Sequence, residues 1–317
     1  MTATIGIAGI TSKFARLLTV RLLQNPSVQI HGYSRDLSKL PLSITSSSRI
    51  QLIQGDAFEI SKIHSFVKSC NVVICCYRSD YYLGDDNLML DGQKNLIDAC
   101  ESEGVPRYIA SDWTFDYTKI GLGEIPLKDA MILVKSYLET KDHVKGVHIL
   151  TGPFIEAMLH PILGIWDSAA VKFRYWGNGD EVLEGTIYED AAAFTAAIAI
   201  DESAVGVKRV LGGASSITQI AASYEKVYGI KPALESRGSL ETLRQRVQEL
   251  AAETPQNPAV YTPLLYQYYI MSGKTSVGPG LDNTTYPTVK AQNWENFLRL
   301  HPKEYLDRSY ESATEAV

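Results

Sequence analysis

Short apolar runs alternate with longer segments of helical spacing through the first half of the chain. The runs are rich in β-branched residues and lie at residues 3–8, 28–33, 50–54, 72–76, 107–110 and 147–151. Helical spacing of apolar residues occurs between them, at residues 14–23, 88–99 and 127–138. Because strand, helix and strand follow one another repeatedly, the pattern predicts an α/β fold with a doubly wound parallel sheet.

The second half has a different pattern. A strand is predicted at residues 173–179, and tyrosines are concentrated in residues 261–269. Helices are predicted over residues 189–200, 217–228 and 240–252. We therefore expect one domain over residues 1–155 and a smaller α+β substrate-binding region over 156–317, with some segments returning to the first domain. Ligands of such sheets bind at the carboxyl ends of the strands, so this region would cover a cleft there.

Charge and cysteine usage narrow the class of protein. The formal net charge is −6, which argues against nucleic acid as a partner. Cys75 and Cys76 are neighbours inside an apolar run, so we expect reduced thiols and a cytoplasmic location. The scattered histidines predict no metal site. No uncharged apolar stretch reaches the roughly 20 residues that cross a bilayer, so no membrane partner is expected.

The turn between the first strand and the first helix contains two glycines at GxxG spacing. A diphosphate needs backbone N–H donors at the positive end of a helix, and residues without a bulky side chain let the backbone approach it. A third glycine would be expected where Ser12 stands, and serine is small enough to replace it. This turn predicts a Rossmann-type dinucleotide site. Its expected contacts are Gly6, Gly9, Thr11, Ser12, Lys13 and Phe14.

The residues after the next three strands predict which dinucleotide is bound. NAD sites usually place an acidic residue after the second strand, whereas this chain has Ser34 and Arg35, with Lys39 nearby. A guanidinium suits the 2′-phosphate of NADPH or NADP+, although both cations could instead only solvate a loop. Asp56 would touch the adenine or form a simple turn, and Tyr77 would lie along the cofactor.

Together these motifs resemble those of the NmrA-like, isoflavone-reductase-like group of atypical short-chain dehydrogenases, of fungal type. The resemblance covers essentially the whole chain. It rests on residues 6–15 (GIAGITSKFA), 33–36 (YSRD), 105–113 (VPRYIASDW), 151–154 (TGPF), 175–179 (YWGNG) and 282–287 (DNTTYP). The resemblance implies NADPH binding. The group contains NADPH-dependent reductases and also redox sensors that bind the cofactor without turning it over.

In the enzymes of this group a lysine on the helix before the sixth strand acts in catalysis. Lys135 is identified as the best match to that position, with Lys128, one heptad earlier on the same edge of the helix, as the reserve. A lysine partly withdrawn from water there is easier to deprotonate, as an acid catalyst requires. The pair Tyr137 and Lys141 also spells YxxxK, a pattern that arises easily by chance.

Three residues at strand ends complete the predicted site. Ser111 could bond substrate or the nicotinamide ribose, and Asp112 could orient Lys135, or both could serve local backbone groups. Phe154 could pack against the nicotinamide or fill the core. Trp166 and Trp176 could wall an apolar pocket or belong to the core.

The motifs and the resemblance leave three functions open. The first is an NADPH-dependent reductase that acts on a C=C, C=O or C=N bond of a hydrophobic small molecule, in secondary-metabolite biosynthesis. The second is a non-catalytic NADP(H)-binding redox sensor, the only reading that needs a protein partner. The third is a repurposed cofactor-binding isomerase or cyclase that acts on a reactive intermediate.

Overall fold

The computed structural model describes residues 3–78 and 87–306 and contains a seven-stranded parallel sheet. The described residues form twelve strands in all, seven in this main sheet and five in two small sheets. They are β1 (Ala3–Ala8), β2 (Val28–Ser34), β3 (Ile50–Gln54), β4 (Val72–Cys75), β5 (Arg107–Ile109), β6 (Lys145–Leu150), β7 (Trp166–Asp167), β8 (Lys172–Tyr175), β9 (Val182–Gly185), β10 (Gly206–Arg209), β11 (Gly213–Ser216) and β12 (Ala233–Ser236). The order in the main sheet is β10-β6-β5-β4-β1-β2-β3. This arrangement confirms the predicted doubly wound sheet.

Eleven α-helices connect and cover the strands of the described residues. They are α1 (Lys13–Leu23), α2 (Leu42–Thr45), α3 (Ile60–Val67), α4 (Gln93–Glu103), α5 (Pro126–Leu138), α6 (Ile155–Met158), α7 (Tyr188–Ile200), α8 (Ile217–Tyr228), α9 (Leu240–Glu253), α10 (Thr262–Met271) and α11 (Trp294–Leu300). The tyrosine-rich stretch of the second half forms α10. The seven strands and six helices predicted from the sequence are present, with ends that differ by a few residues.

Strand β10 is the element of the main sheet that periodicity missed. It comes from the second half of the chain and pairs in parallel with β6, from Gly206 opposite Val147 to Arg209 opposite Leu150. It forms one edge of the sheet and has only four residues, two of them charged. A short edge strand needs apolar residues on one face only, so it leaves no clear alternation in the sequence.

The remaining strands build a second core beside the carboxyl ends of the main sheet. Strands β7, β8 and β12 form one small sheet, and β9 pairs with β11. Trp166 packs on Phe173 and Tyr224, with ring centres 4.5 and 5.1 Å away. Trp166 therefore belongs to this core. Trp176 is also buried in it and donates its indole N–H to Gln267 at 3.1 Å.

Two features of the described residues bear on function. None of the helices within residues 3–78 and 87–306 has the length and apolar character that crossing a bilayer requires. The same part of the chain contains no group of three or more His, Cys, Asp or Glu side chains that could hold a metal ion. The final residues of the predicted second region, 307–317, lie outside the described residues.

Candidate active site

In the turn before α1, the backbone of Gly9 lies close to the backbone of Cys76 at the carboxyl end of β1. Gly9 has a φ of +75°, and a Cβ on it would lie 2.9 Å from the carbonyl oxygen of Cys76. Ser12 begins the helix, and its hydroxyl accepts a hydrogen bond from the amide of Ala15 at 3.3 Å. The positive end of α1 therefore lies at a turn in which Gly9 has no side chain to block an approaching ligand. An anion site requires both features.

Gly6 has a different role from the one its motif suggested. It lies inside β1, three residues before the turn. A Cβ on Gly6 would come within 3.0 Å of the Val73 side chain and 3.2 Å of Cys70 and Phe66. The structure therefore assigns this glycine to close packing of β1 against β4 and α3. The spacing alone could not separate this packing role from phosphate binding.

Arg35 is the first residue after β2. Its side chain is exposed, and Ser34 beside it shares a 2.8 Å hydrogen bond with Thr11 across the glycine turn. Asp36 accepts hydrogen bonds from the amide and the hydroxyl of Ser38, which hold the pKa of its carboxyl below the usual value. Lys39 lies 3.8 Å from that carboxylate and is 70% exposed. Asp36 is thus occupied by local hydrogen bonds, and Arg35 directly follows Ser34, which bonds Thr11 in the turn.

Tyr77 and Asp56 lie on the same side of the turn. The Tyr77 ring lies against Gly9, where a Cβ would be 3.2 Å from its Cδ1. Its hydroxyl is buried and has no hydrogen-bond partner among the described residues. Asp56 accepts from the amide of Phe58 at 3.1 Å, which is simple turn chemistry. The orphaned hydroxyl of Tyr77 is a group that a bound dinucleotide could satisfy.

Aromatic side chains extend from α1 towards the end of β6. The Phe14 ring packs on Trp113 with centres 4.3 Å apart, and only 8% of Phe14 is exposed, so Phe14 is a core residue. Phe154 stacks on Tyr188 at 4.1 Å and remains partly exposed. Lys13, another of the expected cofactor contacts, is the first residue of α1. The contact between Phe154 and the nicotinamide stays a prediction.

Lys128 is buried in the first turn of α5. It is 7% exposed, and its ammonium lies 5.1 Å from the centre of the Phe115 ring and 5.4 Å from that of Tyr266. Within residues 3–78 and 87–306 no carboxylate forms an ion pair with it. Burial lowers the pKa of Lys128 to about 8, and the nearby charge of Asp112 opposes that change. An ammonium held by aromatic faces can give up its proton near neutral pH.

Lys135 lies in the last turn of the same helix. Its ammonium pairs with Glu139, and its side chain is 28% exposed. It lines a groove with Lys145 and Gly146, where β6 begins, rather than the cleft where the strands end. Seven residues of helix separate it from Lys128 by about 10 Å along the axis. Lys128 and Lys135 therefore lie towards opposite ends of α5.

The two polar residues after β5 face inward. Ser111 donates its hydroxyl to the carbonyl of Tyr77 at 2.7 Å, so it links the ends of β5 and β4. Asp112 lies 2.8 Å from Nδ1 of His148 and accepts from the Tyr117 hydroxyl at 3.1 Å. Asp112 therefore does not orient Lys135. Sequence reasoning missed His148 because it is 36 residues away and no local motif links the two.

A pocket of about 250 Å³ opens beside the buried lysine. It is lined by Phe115, Pro153, Val182, Glu184, Ile270, Met271, Ser272, Gly273, Thr275 and Ser276. Phe115 lines this pocket and also lies against the ammonium of Lys128, so the lysine is next to the pocket wall. The Glu184 carboxylate is occupied by the amides of Val277 and Gly278, at 2.5 and 3.1 Å. The remaining wall is largely apolar, which suits a hydrophobic molecule.

Taken together, a helix start behind a glycine turn, an exposed arginine after β2 and a buried lysine at the strand ends define a dinucleotide-binding α/β protein. The family model described as NAD(P)H-binding matches residues 9–145. An NmrA-like family domain-containing oxidoreductase from Gibberella moniliformis is 24% identical over 160 residues, which is 50% of this chain and 53% of that protein. The match thus spans about half the length of the curated relative.

Solved structures share the fold over almost the whole chain. The structure of AtPrR2 with NADP+ and (+)pinoresinol has a TM-score of 0.77 and 15% identity, and covers 95% of this chain and 99% of its own. An isoflavone reductase has a TM-score of 0.72 and 17% identity, with the same coverage. These structures show that the fold is shared, and NAD(P)H is confirmed as the class of cofactor.

Proposed function

We propose that this protein is an NADPH-dependent reductase of a hydrophobic small molecule and that Lys128 is its general acid. The observation that carries the proposal is the buried ammonium of Lys128 beside the apolar pocket, with its pKa lowered to about 8. A reductase needs a group that protonates or stabilises the anion that develops as hydride arrives. Lys128 is such a group at the end of the sheet where ligands bind.

The preference for NADPH is assigned to Arg35. Its guanidinium is exposed beside Ser34 and Thr11, whose hydroxyls close the edge of the glycine turn. A planar guanidinium binds a phosphate through paired hydrogen bonds, and Lys39 adds charge nearby. When bound, NADPH supplies the hydride. Phe154 and Tyr77 would hold its two ends, the nicotinamide and the adenosine respectively.

The substrate class follows from the wall of the pocket. Phe115, Ile270 and Met271 offer apolar surface, and the ammonium of Lys128 lies against the Phe115 ring of this wall. We therefore expect an apolar molecule with one reducible enone, carbonyl or imine, a class common in secondary metabolism. The similar structure with (+)pinoresinol is that of a protein with an aromatic ligand, which agrees with this class.

Two measurements on the purified chain test this function. Fluorescence titration should give tighter binding of NADPH than of NADH, and NADPH should be oxidised with some members of a panel of apolar enones, quinones, ketones and imines. Absence of NADPH binding would overturn the whole proposal. Tight binding of NADPH with no turnover of any panel member would favour the sensor function over catalysis.

A further inference from the structure

Helix α10, from the second half of the chain, covers the ammonium of Lys128. The Tyr266 ring centre lies 5.4 Å from that ammonium, and the Phe115 ring centre lies 5.1 Å from it. The two rings also contact each other edge to face, with centres 5.6 Å apart. Two aromatic side chains from distant parts of the sequence therefore enclose one buried cation.

A hydrogen bond fixes α10 to the start of α5. Tyr269 follows Tyr266 by three residues on the same helix and donates its hydroxyl to the carboxylate of Glu124 at 2.8 Å. The other oxygen of that carboxylate accepts from the amide of Gly121 at 2.7 Å, so the acceptor is itself held in place. Because Glu124 lies just before α5, this bond ties the helix that carries Tyr266 to the helix that carries Lys128.

The same helix forms part of the substrate pocket. Ile270 and Met271, at its end, line the pocket, and Ser272 and Gly273 continue the wall after the helix ends. Tyr266 lies about one turn before this wall. The position of α10 therefore sets both the shape of the pocket and the cover over the ammonium.

The charged and titratable groups near Lys128 leave burial as the main influence on its proton. The Asp112 carboxylate favours the ammonium form through its charge. The carboxylates of Asp129 and Glu124 each accept from an amide of the loop before α5, at 2.9 and 2.7 Å. Burial raises the pKa of Tyr266 above its usual value, so this ring is neutral. Burial is also the largest cause of the lowered pKa of Lys128, so the residue that covers the ammonium matters most.

We propose that Tyr266 is a positioning residue that keeps the ammonium of Lys128 under its ring and away from water, and that Tyr269 anchors it through Glu124. The use of Lys128 as an acid rests on the proposed reductase function, whereas the placement of its ammonium does not. Loss of the Tyr266 ring leaves a space beside a cation, and a polar space of that size fills with water. The hydrated ammonium then holds its proton more tightly, so it is a weaker acid.

The placement is tested by NMR of the full-length protein with 13C-labelled lysine, in which the Lys128 signals are those missing from Lys128→Met. In the wild type, ring currents of the two aromatic rings should move the Hε signals upfield. Tyr266→Ala should abolish most of that displacement and move the Lys128 titration to higher pH by about one unit, because burial is relieved. Tyr266→Phe keeps the ring and should retain both properties. An unmoved titration in folded Tyr266→Ala would overturn the proposal.

Two further variants of α10 separate positioning from a general effect on the helix. Tyr269→Phe removes the hydrogen bond to Glu124 and should move the Lys128 titration in the same direction by a smaller amount. If it does not, Tyr269 is not the anchor. Tyr268→Ala is the matched control, because that ring lies 5.0 Å from the exposed ammonium of Lys274 instead, and the Lys128 titration should stay in place. A shift as large as that of Tyr266→Ala would contradict a specific role for Tyr266.

The catalytic consequence appears in the pH dependence of NADPH oxidation. In Tyr266→Ala the basic limb of the kcat/KM profile should move to higher pH together with the Lys128 titration. The rate at neutral pH should fall about tenfold, and NADPH affinity should be unchanged. If the NMR titration moves but the basic limb does not, or no substrate is reduced, the proposed function fails while the placement of the ammonium stands.

Discussion

The ammonium of Lys128 lies 5.1 Å from the centre of the Phe115 ring, and Phe115 lines the apolar pocket. An aromatic face attracts the cation but, unlike a carboxylate, cannot fix the proton in an ion pair. Burial therefore dominates, and the pKa of Lys128 falls to about 8. Phe115 also packs on Tyr266 of α10, with ring centres 5.6 Å apart, so residues from both halves of the chain surround this ammonium.

Activity should fall as the pH rises through the pKa of Lys128. The acid works only while it is protonated, and burial has moved its titration from 10.5 to about 8. We expect kcat/KM for NADPH oxidation to be constant below this pH and to decrease about tenfold per unit above it. A profile that stays flat up to the ordinary titration range of lysine would contradict the assignment.

Arg35→Ala should weaken NADPH binding about 10- to 100-fold and leave NADH binding nearly unchanged. The reason is the loss of charge-assisted hydrogen bonds to the 2′-phosphate, which contribute about 1.5–3 kcal/mol. Lys39→Ala is the matched control, because that side chain is 70% exposed and pairs with Asp36, and its effect should be much smaller. Equal losses for the two cofactors would show that Arg35 does not select between them.

The buried Glu156 should make the folded state less stable as the pH rises. Burial raises the pKa of its carboxyl from 4.5 to about 8, so the folded protein keeps a proton that the unfolded chain releases. Its stabilising contribution is complete below pH 4.5 and is lost as the pH approaches 8. The free energy of unfolding, measured with urea, should decline over this window.

Glu156→Gln should make that decline smaller. The amide oxygen can still accept from the amide of Tyr188, which now lies 3.1 Å from the carboxylate, and glutamine has no proton to lose. Glu253→Gln is a control at the exposed end of α9. An identical pH dependence in wild type and Glu156→Gln would contradict the shift.

The main sheet could be predicted from the periodicity of the sequence, because each buried strand appears there as a run of apolar residues. Strand β10 could not, because an edge strand with Lys208 and Arg209 buries little. Helix direction favours Lys128 over Lys135 as the lysine near the ends of the strands. A crossover helix in a parallel sheet runs from the carboxyl edge back to the amino edge, so its first turn is the one near the site.

Other parts of the site depend on contacts that sequence spacing does not encode. Tyr266 reaches Lys128 from α10, and His148 reaches Asp112 from the neighbouring strand. Gly6 and Gly9 are both glycine positions of the same sequence motif. Gly6 nevertheless packs inside β1, whereas Gly9 forms the turn. Only the relative placement of elements separates these roles.

The central claim is that Lys128 protonates the substrate, and a comparison of two variants of one helix tests it most directly. Single-turnover oxidation of bound NADPH should slow by at least about 100-fold in Lys128→Met, the size expected for loss of a general acid, with NADPH affinity unchanged. Lys135→Met should react at nearly the wild-type rate, because its side chain lies at the far end of α5. A fast Lys128→Met together with a slow Lys135→Met would contradict the account.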